Sequence, residues 1–245
     1  MKQIRLGSRE YQKIVGRGSF RNLRIEKRVR QIIEDVRLHG DDAVLKYTRK
    51  FDRVKLAPKT LRVSQAEASG AYQNISPTLM TQLKVVIENI NRFYRKQTTL
   101  QRSWKIRDED GVILGRKTLP LDSVGVYVPA GQVPLVSTVY MTVLPAQMAG
   151  VKRIVMVTPP KPDGSVDPHI LMVANLLKVD EIYKVGGAQA IAALSYGTKT
   201  IPKVDKIVGP GNVFVTLAKK EIFGHAGIDM LAGPSEVLII ADDSA

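Results

Sequence analysis

From Ser123 onward the chain alternates between short apolar runs and helical stretches, with a regularity that leaves few folds open. Strands are expected at Val124–Val128, Arg153–Val157, Glu181–Val185, Lys206–Val208 and Glu236–Ile240. Helices are expected between them, at about 136–149, 168–178, 188–196 and 212–223. Strand, turn, helix, strand at this period is the pattern of βαβ units, which brings the strands parallel and lays helices on the sheet's faces. The predicted class is therefore α/β, a parallel sheet with flanking helices.

The preceding third reads as helical. An amphipathic pattern over 23–39 stops at Gly40, and Asp41 or Asp42 is placed to cap a second helix ending near Phe51. Ser64-Gln65-Ala66-Glu67 is a capping-box pattern, in which Ser accepts from the backbone while Glu reaches back. A longer helix is predicted from Pro77 to about Gln97, with Leu79, Leu83, Val86, Ile87, Ile90 and Phe93 on one face. "SWKIRDEDGVILGRKTLP" then reads as two short strands around a turn at Asp108–Gly111. "TPPKPDGSVDP" (158–168) is short enough for a surface loop rather than a linker.

Composition excludes more than it selects. No apolar run approaches the roughly 20 residues of a membrane span, and the first ten residues contain no secretory apolar stretch. The expected location is the cytoplasm. Without cysteine there is neither a disulfide framework nor a thiolate metal site. His39, His169 and His225 lack the spacing of metal ligands. The net charge of +14 is uneven, with 25 Lys and Arg against 9 Asp and Glu in residues 1–107, and 12 against 14 thereafter. The basic residues of 21–40 interleave with Leu23, Ile25, Val29, Ile32, Ile33 and Val36 at helical spacing, as on a solvated outer face. No nucleic-acid motif accompanies them, so no nucleic-acid partner is expected.

In open parallel sheets, ligands bind beyond the carboxyl ends of the strands. Four turns qualify: "YVPAGQVPLVST" (127–138), "VGGAQAIAALSYG" (185–197), "VGPGNVFVTLAKK" (208–220) and "AGPSEV" (232–237). The Gly-Gly of the second either lets a phosphate-bearing ligand approach a helix start or simply allows tight strand–helix packing; Gln189 follows in the first turn. Asn212 is either a helix cap or a ligand contact. Tyr127 either stacks on a flat ring or is a half-buried strand tyrosine. Ser235 follows a Gly-Pro turn, and Asp242 and Asp243 read as a solvated loop rather than site residues. GxGxxG, Walker and G-x-S-x-G patterns are absent.

Taken in order and spacing, "VGVYVPAG", "PAQMAGVKRIVMVTPP", "VDEIYKVGGAQAIAALSYGTKTIPKVDKIVGPGNVFVTLAKK" and "GIDMLAGPSEVLIIAD" resemble histidinol dehydrogenase, over nearly all of the chain from Trp104. The resemblance implies a Rossmann-like sheet that holds NAD without the usual glycine fingerprint. It implies oxidation of L-histidinol through an aldehyde to L-histidine, with two NAD reduced in succession, by a zinc-dependent homodimer. On matching positions the NAD contacts are Tyr127, Gln189 and Asn212, and Ser235 is a substrate contact. It implies a discontinuous first domain, 1–121 plus 229–245, with 122–228 as an inserted NAD-binding domain. Ala130 departs from the pattern by occupying a glycine position, so that loop is expected to sit differently on the cofactor. The family's zinc ligands and its Glu–His acid/base pair follow the "AGPSEVLIIAD" strand, beyond these 245 residues. The 245-residue chain is accordingly expected to be inactive alone. A chain of different class, a short non-catalytic paralogue binding a nucleotide or a protein, is the competing expectation.

Overall fold

Val, Ile and Tyr dominate the apolar runs after Ser123, and such side chains fit a pleated surface buried on both sides. The computed structural model describes residues 4–15, 23–130, 134–232 and 242. Among the described residues, the α-helices that lead are α1 (Arg9–Val15), α2 (Leu23–His39), α3 (Asp41–Phe51), α4 (Pro58–Leu61), α5 (Gln65–Gly70) and α6 (Pro77–Thr99). An antiparallel hairpin follows, β1 (Trp104–Arg107) with β2 (Ile113–Arg116). The alternating part comprises β3 (Ser123–Tyr127), α7 (Val136–Met148), β4 (Arg153–Thr158), α8 (Pro168–Leu176) and β5 (Glu181–Lys184). It continues through α9 (Gly187–Tyr196), β6 (Lys206–Val208), α10 (Val213–Ile222) and β7 (Gly227–Ile228).

The five strands are parallel, in the order β5-β4-β3-β6-β7. The chain starts at the centre, works outward through β4 and β5, then crosses back to β6. The order reverses between β3 and β6, so a crevice opens at their carboxyl ends. Period-two alternation splits the core in two. Tyr127, Val155, Val157, Tyr183 and Ile207 face one layer, with Val29, Ile32 and Val36 of α2, Val44 of α3, and α9 and α10. Val124, Val126, Val128, Met156 and Ile182 face the other, with α7, α8 and Leu83 of α6. Each such aliphatic side chain, fully buried, contributes roughly 1.5–3 kcal/mol.

The amino-terminal helices therefore form an outer layer, α2 and α3 on α9, α2 also on α10, and α6 on α7, while α4 reaches the sheet at β5. Beyond α4, Val63 N–H donates to Ile182 O at 2.8 Å, so the segment between α4 and α5 extends the edge at β5. The expected 23–39 helix forms as read, and its basic side chains are solvated: Arg30 pairs with Glu221 at 3.0 Å and Arg37 with Glu34 at 2.6 Å.

Three local expectations are corrected. Neither Asp41 nor Asp42 caps α3, because Gly40 occupies the cap with φ +52° and turns the chain between the two helices. The Asp41 carboxylate is instead claimed by Thr200, whose hydroxyl donates to Oδ2 at 2.6 Å. In the Ser64–Glu67 box only the Ser half operates, accepting from Glu67 N–H at 3.1 Å. Glu67 turns away to accept from Val166 N–H at 3.1 Å and to pair with Lys184 at 2.5 Å, a buried cation whose charge outweighs a backbone N–H. On α6, Leu79, Leu83, Ile87, Ile90 and Tyr94 pack inward, while Val86 and Phe93 stand out to solvent; Phe93 is 67% exposed. Those two positions fall on the flank of the apolar stripe that turns from the sheet.

The hairpin matches its prediction. Gly111 takes the turn's left-handed position at φ +83°, and Asp108 Oδ1 accepts from Val112 N–H at 2.7 Å. All eight strand residues are exposed. The fifth strand of the main sheet, β7, is a two-residue Gly227–Ile228 pairing with β6, too short to leave a periodic signal. The expected strand Glu236–Ile240 lies outside the described residues, as do Ser235 and Asp243. Asp242 is exposed.

Candidate functional site at the strand crossover

A cleft of about 510 Å³ lies at the carboxyl end of β3, within the roughly 300–1,000 Å³ of small-molecule sites. One wall comes from the sheet's own loops: Tyr127, Pro129, Ala130, Pro159, Gln189 and Asn212. The other comes from the helical layer, through Arg28 and Ile32 of α2 and Phe51 and Asp52 at the end of α3. Three of the four residues singled out in the sequence thus meet in one cavity. The fourth, Ser235, is outside the described residues.

Tyr127 closes β3 and is 4% exposed. Its hydroxyl accepts from Gly187 N–H at 3.1 Å, fastening the β5–α9 turn to the central strand. Burial pushes the phenol up to about 12, so it is a neutral hydroxyl at ordinary pH. Of its two readings, the tyrosine is more deeply buried than a half-exposed strand residue, yet it borders the cavity.

Both glycines of the β5–α9 turn are required sterically. A Cβ on Gly186 would lie 2.7 Å from Pro159 Cγ, and Gly187 has φ +65°. Close packing explains Gly186 without a ligand. Gln189 is different: it is 1% exposed, and its Oε1 is buried with no hydrogen-bond partner among the described residues. An unsatisfied buried carbonyl costs about 1–3 kcal/mol, which a donor in the cleft would relieve. Asn212 does cap α10, its Oδ1 accepting from Phe214 N–H at 3.0 Å and Val215 N–H at 3.2 Å. The cap and the ligand contact are compatible, since capping employs the oxygen and leaves the Nδ2 amide facing other groups. Both α9 and α10 begin at this end of the sheet, and helix starts carry N–H groups without intrahelical partners and a favourable field for anions.

The Gly209-Pro210-Gly211 turn is held by a device that sequence reading missed. Gly209 has φ +114°, and a Cβ there would come within 2.2 Å of Tyr127 O. Lys219, 2% exposed on α10, donates to Gly209 O at 2.9 Å and pairs with Asp229. Asp229 accepts from Gly209 N–H at 2.7 Å. A Lys in "LAKK" looks like helix surface; only its fold-back onto the preceding turn reveals it. Thr216 also donates to Ala232 O at 3.1 Å, tying α10 to the segment that leads to Ser235.

The helical wall was missed entirely. Burial lifts the Asp52 carboxyl to about 6, and its Oδ2 is buried without a hydrogen-bond partner among the described residues. The Arg28 guanidinium lies 4.9 Å from the Phe51 ring centroid and 5.8 Å from that of Phe214, bridging the mouth. Ala130 has no left-handed backbone, as a residue with a Cβ requires; it borders the cleft and packs on the core.

The histidines are scattered. His39 Nδ1 is 3.1 Å from Asp35 O, His169 Nδ1 is 3.0 Å from Asp167 Oδ1, and the His225 ring packs 5.1 Å from that of Tyr196. Among the described residues no group of three or more His, Asp or Glu could hold a metal ion, and no helix is long and apolar enough to cross a membrane.

Known proteins resemble this chain in sequence and fold. The histidinol dehydrogenase family model matches residues 16–245. The chain is 48% identical over 238 residues to histidinol dehydrogenase of Clostridium acetobutylicum, covering 97% of this chain and 54% of that protein. It is 50% identical over 219 residues to that of Bacillus subtilis, covering 89% and 50%. The crystal structure of histidinol dehydrogenase from Elizabethkingia anophelis superimposes with a TM-score of 0.84 at 42% identity, over 90% of this chain and 50% of that one. The chain spans about half the length of the curated relatives it matches. With the family model covering almost the whole sequence and the same fold in a solved member, this chain belongs to the histidinol dehydrogenase family.

Proposed function

We propose that this chain carries the NAD site of a histidinol dehydrogenase, and that the protein it represents oxidises L-histidinol through the aldehyde to L-histidine in histidine biosynthesis. The observation that carries the reading is Gln189, a buried amide that lines a nucleotide-sized cleft at the sheet's crossover and whose oxygen has no partner among the described residues. Tyr127, Gln189 and Asn212 are the cofactor contacts. Tyr127 fixes the wall, Gln189 accepts from a ligand donor, and Asn212 presents its amide while holding the start of α10. NAD, when bound, supplies the hydride acceptor for both oxidations.

The fit to NAD is good: orphaned amide, two helix starts, and glycines that bring backbone to the cavity edge. The fit to zinc is poor, because the described residues contain no ligand cluster. Zinc belongs to the proposed activity of the family protein and not to any step assigned to these residues. Ser235 is proposed as a substrate contact, 1–121 plus 229–245 as one domain, 122–228 as the inserted cofactor domain, and the assembly as a cytoplasmic homodimer.

Two measurements test this. In an equilibrium titration with NAD, Gln189→Ala and Asn212→Ala should each weaken binding about tenfold, the value of one to two lost hydrogen bonds. Unchanged affinity in both variants would remove them from the site. In an absorbance assay for reduced cofactor, the 245-residue chain given zinc, NAD and L-histidinol should show no turnover; sustained turnover would contradict the assignment of the metal and base to other residues.

A further inference from the structure

A parallel sheet of this order ordinarily carries an acid at the end of the strand beside its central one, where it accepts from the ribose hydroxyls of a bound dinucleotide. That strand is β4, and it ends Val157-Thr158-Pro159-Pro160, with no acid. Pro159 nevertheless borders the cleft, and across the cavity stands the carboxyl of Asp52. We propose that Asp52 reads the adenosine ribose of the dinucleotide from the helical layer, replacing the acid missing from β4, and so sets a preference for NAD over its 2′-phosphorylated form. The proposal rests on the reading of the cleft as an NAD site.

Position, environment and charge each support it. Asp52 caps the carboxyl end of α3, its N–H donating to Thr48 O at 2.9 Å. Arg53 then adopts φ +60°, uncommon for a residue with a side chain, and turns the chain away at once. The carboxyl is thereby held at the helix tip, beside the cavity. Asp52 lines the cavity, and its buried Oδ2 has no partner among the described residues, so no donor of the described protein anchors that side of the carboxyl. Burial alone acts on it, and no cation holds it down; Arg28 is engaged over the Phe51 and Phe214 rings instead. The negative charge also helps to raise the Tyr127 phenol, placing Asp52 close to the end of β3. A ribose diol offers two donors to such a carboxylate. A 2′-phosphate offers none and adds a like charge in a shielded place.

The test is calorimetric titration of the 245-residue chain and its Asp52→Asn variant with three probes: NAD, NADP and the 2′-deoxyadenosine analogue of NAD. The wild-type chain should bind NAD at least about tenfold more tightly than either other probe. Asp52→Asn should weaken NAD by a similar factor and bring the three affinities close together. Since no group among the described residues bonds Oδ2, the variant keeps the hydrogen bonds described for the fold. The deoxy probe asks the same question of the unmutated chain. Wild-type binding of NAD with equal affinity for the deoxy analogue, or a variant that keeps the wild-type discrimination, overturns the role of Asp52 and leaves the cleft standing. A wild-type chain that binds none of the three overturns the cleft reading, and this one with it.

Discussion

On its sheet side the cleft is walled by groups mostly engaged with the protein itself. Tyr127 accepts from Gly187, Asn212 caps α10, and the Gly209 turn that leads into Asn212, though not itself in the lining, is gripped by Lys219 and Asp229. On its helical side the groups have few partners among the described residues: Asp52 keeps a buried oxygen without one, and Arg28 rests on two aromatic rings. The first wall is bonded for rigidity and the second holds unmet polarity. Stability and recognition are thus assigned to different elements, with Gln189 the cleft-lining group on the rigid side whose oxygen is unmet among the described residues.

If that contrast is right, damage to the sheet wall should unfold the chain, and damage to the helical wall should not. The largest effect is expected at Gly209. A Cβ there meets the Tyr127 carbonyl at 2.2 Å in a backbone conformation that L residues avoid, so Gly209→Ala should cost about 3 kcal/mol or more by urea denaturation. A loss below about 1 kcal/mol would mean that the turn is soft. Next comes Lys219→Met, which leaves Asp229 without its cation and Gly209 O without a donor. About 2–4 kcal/mol should be lost, and Asp229→Asn in the same chain should recover part of it.

The smallest effect should have the opposite sign. Asp52 titrates near 6 in the folded chain, against about 3.9 unfolded. A folded pKa above the unfolded one means that the folded state binds the proton more tightly. As pH rises from about 4 to 6, the unfolded chain has already released its proton and the folded chain resists doing so, so stability falls; above about 6 the full penalty remains. Asp52→Asn should therefore raise the unfolding free energy at pH 8 by about 1 kcal/mol, after allowing for partial solvent screening, and change little at pH 4. A variant that is more stable yet binds NAD less well would mark the carboxyl as kept for recognition. Equal destabilisation at both pH values would make it structural.

Much of the sheet wall is legible in the sequence because it lies on local pattern. Gly-Gly and Gly-Pro-Gly sit where strands turn into helices, so spacing places Gln189 and Asn212 at helix starts, while the family resemblance supplies their expected role as cofactor contacts. The helical wall is not legible in that way. Asp52 follows an ordinary amphipathic helix, and nothing within ten residues announces that this carboxyl, 75 residues upstream of Tyr127, will line the same cavity. Lys219 escapes for the same reason, its partners being set by tertiary packing. The caps at Asp41 and Glu67 go astray because each carboxylate found a distant partner stronger than the local one, Thr200 in one case and Lys184 in the other. β7 is two residues long, below any period.

The central claim is that the crevice beside β3 is where a dinucleotide binds. Hydrogen–deuterium exchange of the 245-residue chain with and without saturating NAD tests it most directly. The account predicts slower exchange confined to residues 127–130, 186–189 and 209–214, together with the end of α3 near Asp52. Protection centred elsewhere, such as on the exposed hairpin at 104–116, or no protection at a concentration where NAD demonstrably binds, would contradict it.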